Sequence, residues 1–308
     1  MMVLMMKSIY TFWASVPKVT KAIFWALLAT VFMTAMSVLI KYLGNALPFV
    51  EVAWFRAFFG LIIICPFIVK RGGIRALYTK KLTMHLIRGV LAVMAMLSGF
   101  YAVTVLPLTL VTTLGFSRPL FMIPLAILFL HEVVKMRRWS ATIIGFIGIL
   151  IAIRPSGDVE PAVLIALFSS FIFAIVMITT KKLSSTEAPT TLMFYQGFLS
   201  SLFILPLCLF YWVTPSLKEF ILLFMLAVFG SLSINCTIRA LKLADTTIVS
   251  PIEYIRIIFA SFAGFIIFME IPSIWTLLGG IIIILSTVYI AFRESRLGYD
   301  KTTTDINS

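Results

Sequence analysis

Long apolar stretches separated by short polar segments run along the chain. A helix needs about 20 apolar residues to cross a hydrocarbon core about 30 Å thick. Ten stretches meet or approach that length, at residues 20–43, 48–69, 82–105, 108–130, 139–154, 161–181, 189–212, 218–240, 247–269 and 275–292. The pattern predicts an all-α integral membrane protein with ten transmembrane helices, flanked by tails at 1–19 and 293–308.

The composition indicates that the chain lies in a lipid bilayer. Hydrophobic residues make up 61% of the 308 residues and charged residues 12%, whereas soluble domains are about 45–50% apolar and about 25% charged. A globule of this size cannot bury such an apolar surplus. The three cysteines and two histidines are scattered along the chain, so no metal site, cofactor or catalytic group is predicted.

The basic residues fix an orientation. The formal net charge is +13, and most lysines and arginines lie in alternate loops, such as those at 70–81 and 135–138. Cytoplasmic loops carry such an excess of positive charge. We therefore predict that both termini are cytoplasmic, and no nucleic-acid partner is needed to explain the charge.

A sequence pattern occurs twice. A short segment rich in Thr and Val is followed, in each half, by an aromatic residue, an arginine and a glutamate. These are Thr109 to Thr112, Phe116, Arg118 and Glu132 in the first half, and Thr247 to Ser250, Tyr254, Arg256 and Glu270 in the second. Each half, 20–154 and 161–292, holds five predicted spans, and an odd number inverts the second copy. Inverted five-helix repeats are typical of secondary transporters.

The two repeated arginines lie in the middle of predicted spans. An arginine at the centre of a bilayer costs about 2.5–3.5 kcal/mol on insertion scales, so Arg118 and Arg256 are candidates to line a polar pathway and bind a carboxylate or phosphate of a small-molecule substrate. Pro119 frees a backbone carbonyl beside Arg118, which is tolerated where a cavity satisfies it. Alternatively, the arginines pair with carboxylates on other spans and only stabilise the bundle.

Glu253 has no acidic counterpart in the first half, where Gly115 stands. It follows Pro251 and precedes Tyr254 and Arg256, and an arginine three residues further along a helix lies on the same face. Both signs of charge suit a zwitterionic substrate, and Glu253 is the candidate for cation recognition or proton coupling. The alternative is a self-satisfied Glu253–Arg256 pair without a ligand.

Further polar and aromatic residues are candidates for the walls of the pathway. Arg56 in span two aligns with Gln196 in span seven, and the other candidates are Trp54, Tyr101, Tyr195 and Asn235. Arg88 is predicted to extend to lipid headgroups. Glu132 and Glu270 end spans four and nine on opposite membrane faces, where we expect capping or gate closure rather than catalysis.

Glycines recur in spans five and ten, as Gly145 and Gly148 and as Gly279 and Gly280. Small residues allow helices to approach closely, so these positions predict helix packing or a homodimer through the two spans. The chain lacks a glycine-rich phosphate loop followed by lysine, which argues against an ATP-driven pump.

The repeated segments resemble the EamA-type carriers of the drug/metabolite transporter superfamily over residues 20–292. The resemblance rests on a helix that closes in glutamate in each half, Leu130 to Glu132 and Met269 to Glu270, followed by a short glycine-containing span such as Gly145 to Gly148. The family usually has a proline ahead of this glutamate. Pro119 fits that pattern, whereas Ile257 stands at the second position.

Within this family, the chain is similar to the S-adenosylmethionine uptake carriers of obligate intracellular bacteria. The similar segments are Lys41 to Gly44, Phe55 and Arg56, Ser117 to Leu120, Tyr211 to Pro215, and Ala244 and Asp245. The resemblance implies import across the bacterial inner membrane in exchange for a demethylated product. Arg118 or Arg256 would bind the carboxylate, Glu253 a cationic centre and tyrosines the ring face.

Three other functions remain open at this point. The first is an efflux carrier for amino acids or amphipathic toxins. The second is an intramembrane enzyme that acts on a lipid-linked substrate, which would need a reactive pair of groups within the spans. The third is a receptor or assembly protein, for which oppositely oriented halves have no evident use.

Overall fold

The computed structural model describes residues 16–70, 73, 77–130, 136–153, 160–184, 186–244, 249 and 252–305. Over these ranges the chain forms eleven α-helices. They are α1 (Lys18–Leu43), α2 (Phe49–Lys70), α3 (Leu82–Val105), α4 (Leu108–Gly115), α5 (Arg118–Leu130), α6 (Met136–Ile153), α7 (Pro161–Ser184), α8 (Pro189–Phe210), α9 (Leu217–Leu243), α10 (Arg256–Phe268) and α11 (Ile274–Asp305).

The helices confirm the prediction of ten membrane spans. Seven segments of the described chain are long and apolar enough to cross a bilayer, with α4 and α5 taken together as one span. Three shorter apolar helices, at 139–153, 256–268 and 274–289, supply the remaining spans. The last helix continues to Asp305, beyond the predicted end of its span at residue 292.

The packing of the helices has the symmetry of two repeats. Helix α1 packs on α9, and α3 packs on α7. Because α1 and α7 open the two halves, while α3 and α9 are the third spans of their halves, these two contacts are one interface that occurs twice. The pairs α2–α8 and α6–α11 each join equivalent helices, and α4 of the fourth span packs on α10 of the ninth. Five spans per half place the second copy upside down relative to the first.

Local sequence signals explain where individual helices begin. Helix α9 starts with a capping box, in which the Ser216 hydroxyl accepts the Glu219 amide and the Glu219 carboxylate accepts the Ser216 amide. These two bonds satisfy backbone donors that a helix start leaves free. Large apolar side chains such as Phe210, 80% exposed, cover the outer surface, as expected where lipid replaces water.

Glycines bring α6 and α11 into backbone contact. A Cβ atom added at Gly148 would lie 3.0 Å from the Gly279 carbonyl oxygen, and one added at Gly279 would lie 2.5 Å from the Ala152 amide nitrogen. The Gly145 position is similarly closed by Leu120 and Ser286. The glycine-lined faces are therefore buried against each other within one chain.

Candidate functional site

Both repeated arginines stand at the start of a half-length helix. The fourth predicted span is interrupted at Phe116 and Ser117, and α5 begins with Arg118. In the ninth predicted span, a turn at Tyr254 and Ile255 precedes α10, which begins with Arg256. The sequence predicted a freed carbonyl beside Arg118 but not the break in the fourth span or the turn before α10, because hydropathy alone does not reveal an interruption of an apolar span.

Hydroxyl groups stabilise the first break. The carbonyl oxygen of Leu114, at the end of α4, accepts hydrogen bonds from the Ser117 hydroxyl at 2.6 Å and the Ser170 hydroxyl at 3.2 Å. Pro119 lies in the first turn of α5, where a missing backbone N–H costs no helical bond. The broken backbone is thus satisfied by protein groups, as a membrane interior requires.

Arg118 has hydrogen-bonding capacity that the described protein does not use. Its guanidinium lies over the Phe173 ring of α7, with 4.3 Å between Cζ and the ring centroid. Its Nε atom is buried and has no hydrogen-bond partner. Stacking on a ring stabilises the cation without neutralising it, so the charge remains available to an anion.

Glu253 lies within electrostatic reach of both arginines. Its side chain is exposed, and in the described part of the chain no ion pair within 4.0 Å joins it to either one. The structure therefore shows no direct ion pair between Glu253 and Arg256, which stand on either side of the turn. The guanidinium groups of Arg118 and Arg256 and the carboxylate of Glu253 therefore lie near one another without a direct ion pair to Glu253.

The two halves meet at this cluster. The rings of Phe116 and Tyr254, which hold equivalent positions in the repeats, make an edge-to-face contact with centroids 4.9 Å apart. The Tyr254 hydroxyl donates a hydrogen bond to the Thr287 hydroxyl of α11. Equivalent positions of the two repeats therefore meet at these rings, and Arg118 and Arg256 each follow two residues further along the chain. We call Arg118, Glu253 and Arg256 the central cluster.

Arg56 occupies a different position in the bundle. Its guanidinium packs into a notch at Gly230 of α9, where an added Cβ would lie 2.5 Å from Nη2. None of residues 49–61 of α2 is exposed, and Arg56 is partly buried among them. Its repeat-equivalent Gln196 donates a hydrogen bond to the Ser200 hydroxyl at 3.4 Å.

Other predicted wall residues contact structural partners rather than the central cluster. Tyr101 packs edge-on against Phe49, and the Trp54 indole donates a hydrogen bond to the Ser201 carbonyl oxygen. The Tyr195 ring lies against His85, and its hydroxyl donates to the Leu77 carbonyl oxygen. The exposed Asn235 accepts a hydrogen bond from Arg239. The described contacts bring none of these four residues to the cluster.

The prediction for Arg88 was wrong. The residue is buried, and its guanidinium donates to the Leu192 carbonyl oxygen at 2.6 Å and the Thr180 hydroxyl at 3.4 Å instead of extending to headgroups. Helices α7 and α8 cover it, which a count of residues from the span end does not reveal.

Glutamates and prolines predicted at the ends and breaks of spans have different outcomes. Glu132 and Pro251 lie outside the described residues. Glu270 accepts a hydrogen bond from the Leu108 amide at 2.8 Å and forms an ion pair with Lys41. Lys41 and Phe173 were missed as candidates. Lys41 matches Lys181 in the other repeat, a signal that was present in the sequence, whereas nothing local marks Phe173.

Comparison with known proteins supports the architecture. The EamA-like transporter family matches residues 20–154 and 160–292. An S-adenosylmethionine uptake transporter of Rickettsia bellii is 36% identical over 273 residues, which cover 88% of this chain and 94% of the relative. A riboflavin transporter of Vibrio cholerae is 30% identical over 253 residues, which cover 81% and 85%.

A solved crystal structure shares the fold. It superposes with a TM-score of 0.62 at 14% identity, over 88% of this chain and 98% of the other. Two copies of the family pattern, ten spans and extended similarity to known carriers agree with one another, and the alternative of an intramembrane enzyme is set aside. The chain is a member of the EamA-like transporter family.

Proposed function

We propose that this carrier imports S-adenosylmethionine across the bacterial inner membrane by alternating access. The proposal follows the similarity to the S-adenosylmethionine uptake transporter of Rickettsia bellii. The observation that supports it most directly is the central cluster, since a substrate with a carboxylate, an ammonium and a sulfonium needs charges of both signs at one place. A hydrocarbon drug would need neither.

Each group of the substrate has a chemically suitable partner. Arg118 or Arg256 binds the carboxylate, because a planar guanidinium donates two parallel hydrogen bonds. Glu253 binds the ammonium or the sulfonium. The rings of Phe116 and Tyr254 lie beside these charges and offer apolar faces to the purine. Backbone N–H groups at the start of α10 add a partial positive charge that favours the carboxylate.

The cycle follows from the inverted repeat. The halves 20–154 and 161–292 rock about the central cluster, with both termini in the cytoplasm, and open the cluster to one side at a time. Import proceeds in exchange for the demethylated product, which keeps the carboxylate, the ammonium and the purine. A homodimer through α6 and α11 would use their outer faces, where Ile144, Leu150 and Leu285 are exposed.

Purified carrier in liposomes tests the proposal. We expect saturable uptake of radiolabelled S-adenosylmethionine that is accelerated when the vesicles contain S-adenosylhomocysteine. The exchange should persist after the proton gradient is collapsed, because no net charge movement by protons drives it. Transport of riboflavin or amino acids in place of S-adenosylmethionine would contradict the proposed substrate. Labelled substrate that leaves preloaded cells but never enters them would favour the efflux alternative.

Arg56 belongs to the proposed substrate path, and Gly230 provides a test of its position. In a Gly230→Ala variant the new methyl group displaces the flexible guanidinium, so the fold is retained while the charge moves. We expect the apparent affinity for substrate to fall about tenfold or more, since a hydrogen bond to a charged group contributes about 1.5–3 kcal/mol. The measurement is the concentration dependence of uptake.

Gly197→Ala is the matched control for this variant, because its added Cβ meets Leu61 at an ordinary distance of 3.4 Å. It should leave the affinity unchanged. Equal affinities for the two variants and the wild type would exclude Arg56 from the path.

A further inference from the structure

The end of the bundle opposite the chain termini contains an ion pair between the two repeats. Lys41, in the last turn of α1, pairs with Glu270, which follows α10. The Lys41 ammonium also donates to the Leu106 carbonyl oxygen at 2.6 Å, and only 8% of the residue is exposed. The pair lies where the two halves meet, and little of either side chain is exposed.

The second oxygen of Glu270 binds the start of another helix. It accepts the Leu108 amide at 2.8 Å, at the first residue of α4. A glutamate at a helix N-terminus is stabilised by the free N–H groups and the helix dipole. The pair therefore joins the ends of α1 and α3 and the start of α4, all in the first half, to α10 of the second half.

The backbone before Glu270 is bent to make this contact. Met269 has φ 55° and ψ 30°, the left-handed region, which residues with a side chain rarely adopt. Strain of this type persists where surrounding contacts fix it, and it concentrates in segments that move. The Phe268 ring lies 5.5 Å from the Lys41 ammonium, and Gly264 leaves room for the Glu270 carboxylate.

The pair acts on the helices that carry the central cluster. Arg118 directly follows α4 and its break, and Arg256 begins α10, whose far end leads into Glu270. The Thr109 hydroxyl also contacts the Ser261 hydroxyl at 3.1 Å, between the pair and the cluster. Separation of Lys41 from Glu270 would release α4 from α10 and open a way to the cluster from this end.

We propose that Lys41 and Glu270 form a latch that closes this end of the transport path and opens once in each cycle. The inference rests on the proposed alternating access, but it does not depend on the identity of the substrate. It assigns Lys41, which is not part of the central cluster, as a gating residue. The same latch explains why a carboxylate ends this apolar segment.

Labelling of a single cysteine tests the latch without substrate. A Thr109→Cys reporter, in a chain whose three cysteines are replaced by alanine, lies behind the latch and is reached only when that end opens. We expect Glu270→Gln and Lys41→Gln each to raise, at least tenfold, the rate of labelling by a membrane-impermeant maleimide added on the side opposite the termini. Lys218→Gln is the matched control, since Lys218 bonds Tyr42 at the same end but on the exposed surface.

A charge exchange distinguishes a latch from general loosening. Lys41→Glu and Glu270→Lys should each open the reporter to the reagent, and the double variant should restore slow labelling. Rates within twofold of the parent in both single variants, or a monodisperse double variant that stays open, would overturn the latch. Where a single variant does not fold, a Lys41→Cys, Glu270→Cys pair gives the answer, because its cross-linking should stop uptake reversibly.

The outcomes are separable from those of the proposed function. Reporter labelling measures closure of one end, whereas uptake measures the substrate. A working latch in a chain that does not transport S-adenosylmethionine would leave the latch standing and reject the substrate. If the chain transports S-adenosylmethionine but the latch variants do not change labelling, the proposed substrate stands and the latch is rejected.

Discussion

Replacement of Glu253 by glutamine abolishes uptake of the proposed substrate while the protein still folds. The variant removes the negative charge of the central cluster and leaves the positive charges of Arg118 and Arg256, which repel each other. Loss of a hydrogen bond to a charged group costs about 1.5–3 kcal/mol in binding, which corresponds to a loss of about tenfold or more. Initial uptake rates in liposomes at equal protein content measure the effect.

Glu219→Gln is the matched control, because it removes the same charge from the exposed capping box of α9, where glutamine also serves. It should transport at the rate of the wild type. Uptake by the Glu253 variant within twofold of that rate would remove Glu253 from the mechanism, and with it the argument that both signs of charge bind the substrate. Size-exclusion profiles show whether each variant is folded.

Substitution of Gly279 by alanine gives the largest expected loss of stability. The new Cβ would lie 2.5 Å from the Ala152 nitrogen and 2.6 Å from its Cβ, and backbone cannot move aside as the end of a side chain does. Helices α6 and α11 must separate along their shared face. Overpacking of a tight core typically costs about 1–3 kcal/mol and occasionally more, so the thermal transition in detergent should fall by several degrees.

The adjacent Gly280→Ala variant separates packing from helix propensity. Its Cβ would meet the tip of Ile257 at 3.2 Å and Thr113 at 3.4 Å, and both side chains can shift. Alanine also favours a helix over glycine by about 1 kcal/mol at either position. We therefore expect Gly280→Ala to be neutral or stabilising. Equal transition temperatures for the two variants would contradict the close approach of α6 and α11.

The breaks at Arg118 and Arg256 show where prediction from the sequence stopped. Both arginines and Glu253 are candidates from the sequence alone, because charged residues within apolar spans are costly and need a reason. Pro119 marked a free carbonyl near the first break, but neither the break at Phe116 and Ser117 nor the turn at Tyr254 and Ile255 was predicted. The carbonyl at the first break is satisfied by the neighbouring Ser117 hydroxyl and by the Ser170 hydroxyl on α7, which is far away in the sequence.

The sequence predicted the packing role of the glycines correctly and the position of the Arg88 side chain incorrectly. The sequence predicted that Gly148 and Gly279 would serve close helix contact, and the structure places them together because only hydrogen fits between the backbones. For Arg88 the sequence suggested headgroups, whereas α7 and α8 supply a carbonyl and a hydroxyl. The missing side chain of a glycine already indicates a close helix contact. The partner of a long polar side chain depends on which groups the fold places beside it.

Hydropathy, spacing and repetition were enough to establish that the chain lies in a lipid bilayer, that it has ten spans in two repeats, and that charged residues lie within those spans. These are properties of neighbouring residues, so the order of amino acids carries them directly. The packing of the helices was needed to show that Glu253 stays apart from Arg256, that Phe173 supports Arg118 and that Lys41 meets Glu270. Those contacts join residues distant along the chain, and their energies depend on which groups share a place inside the membrane.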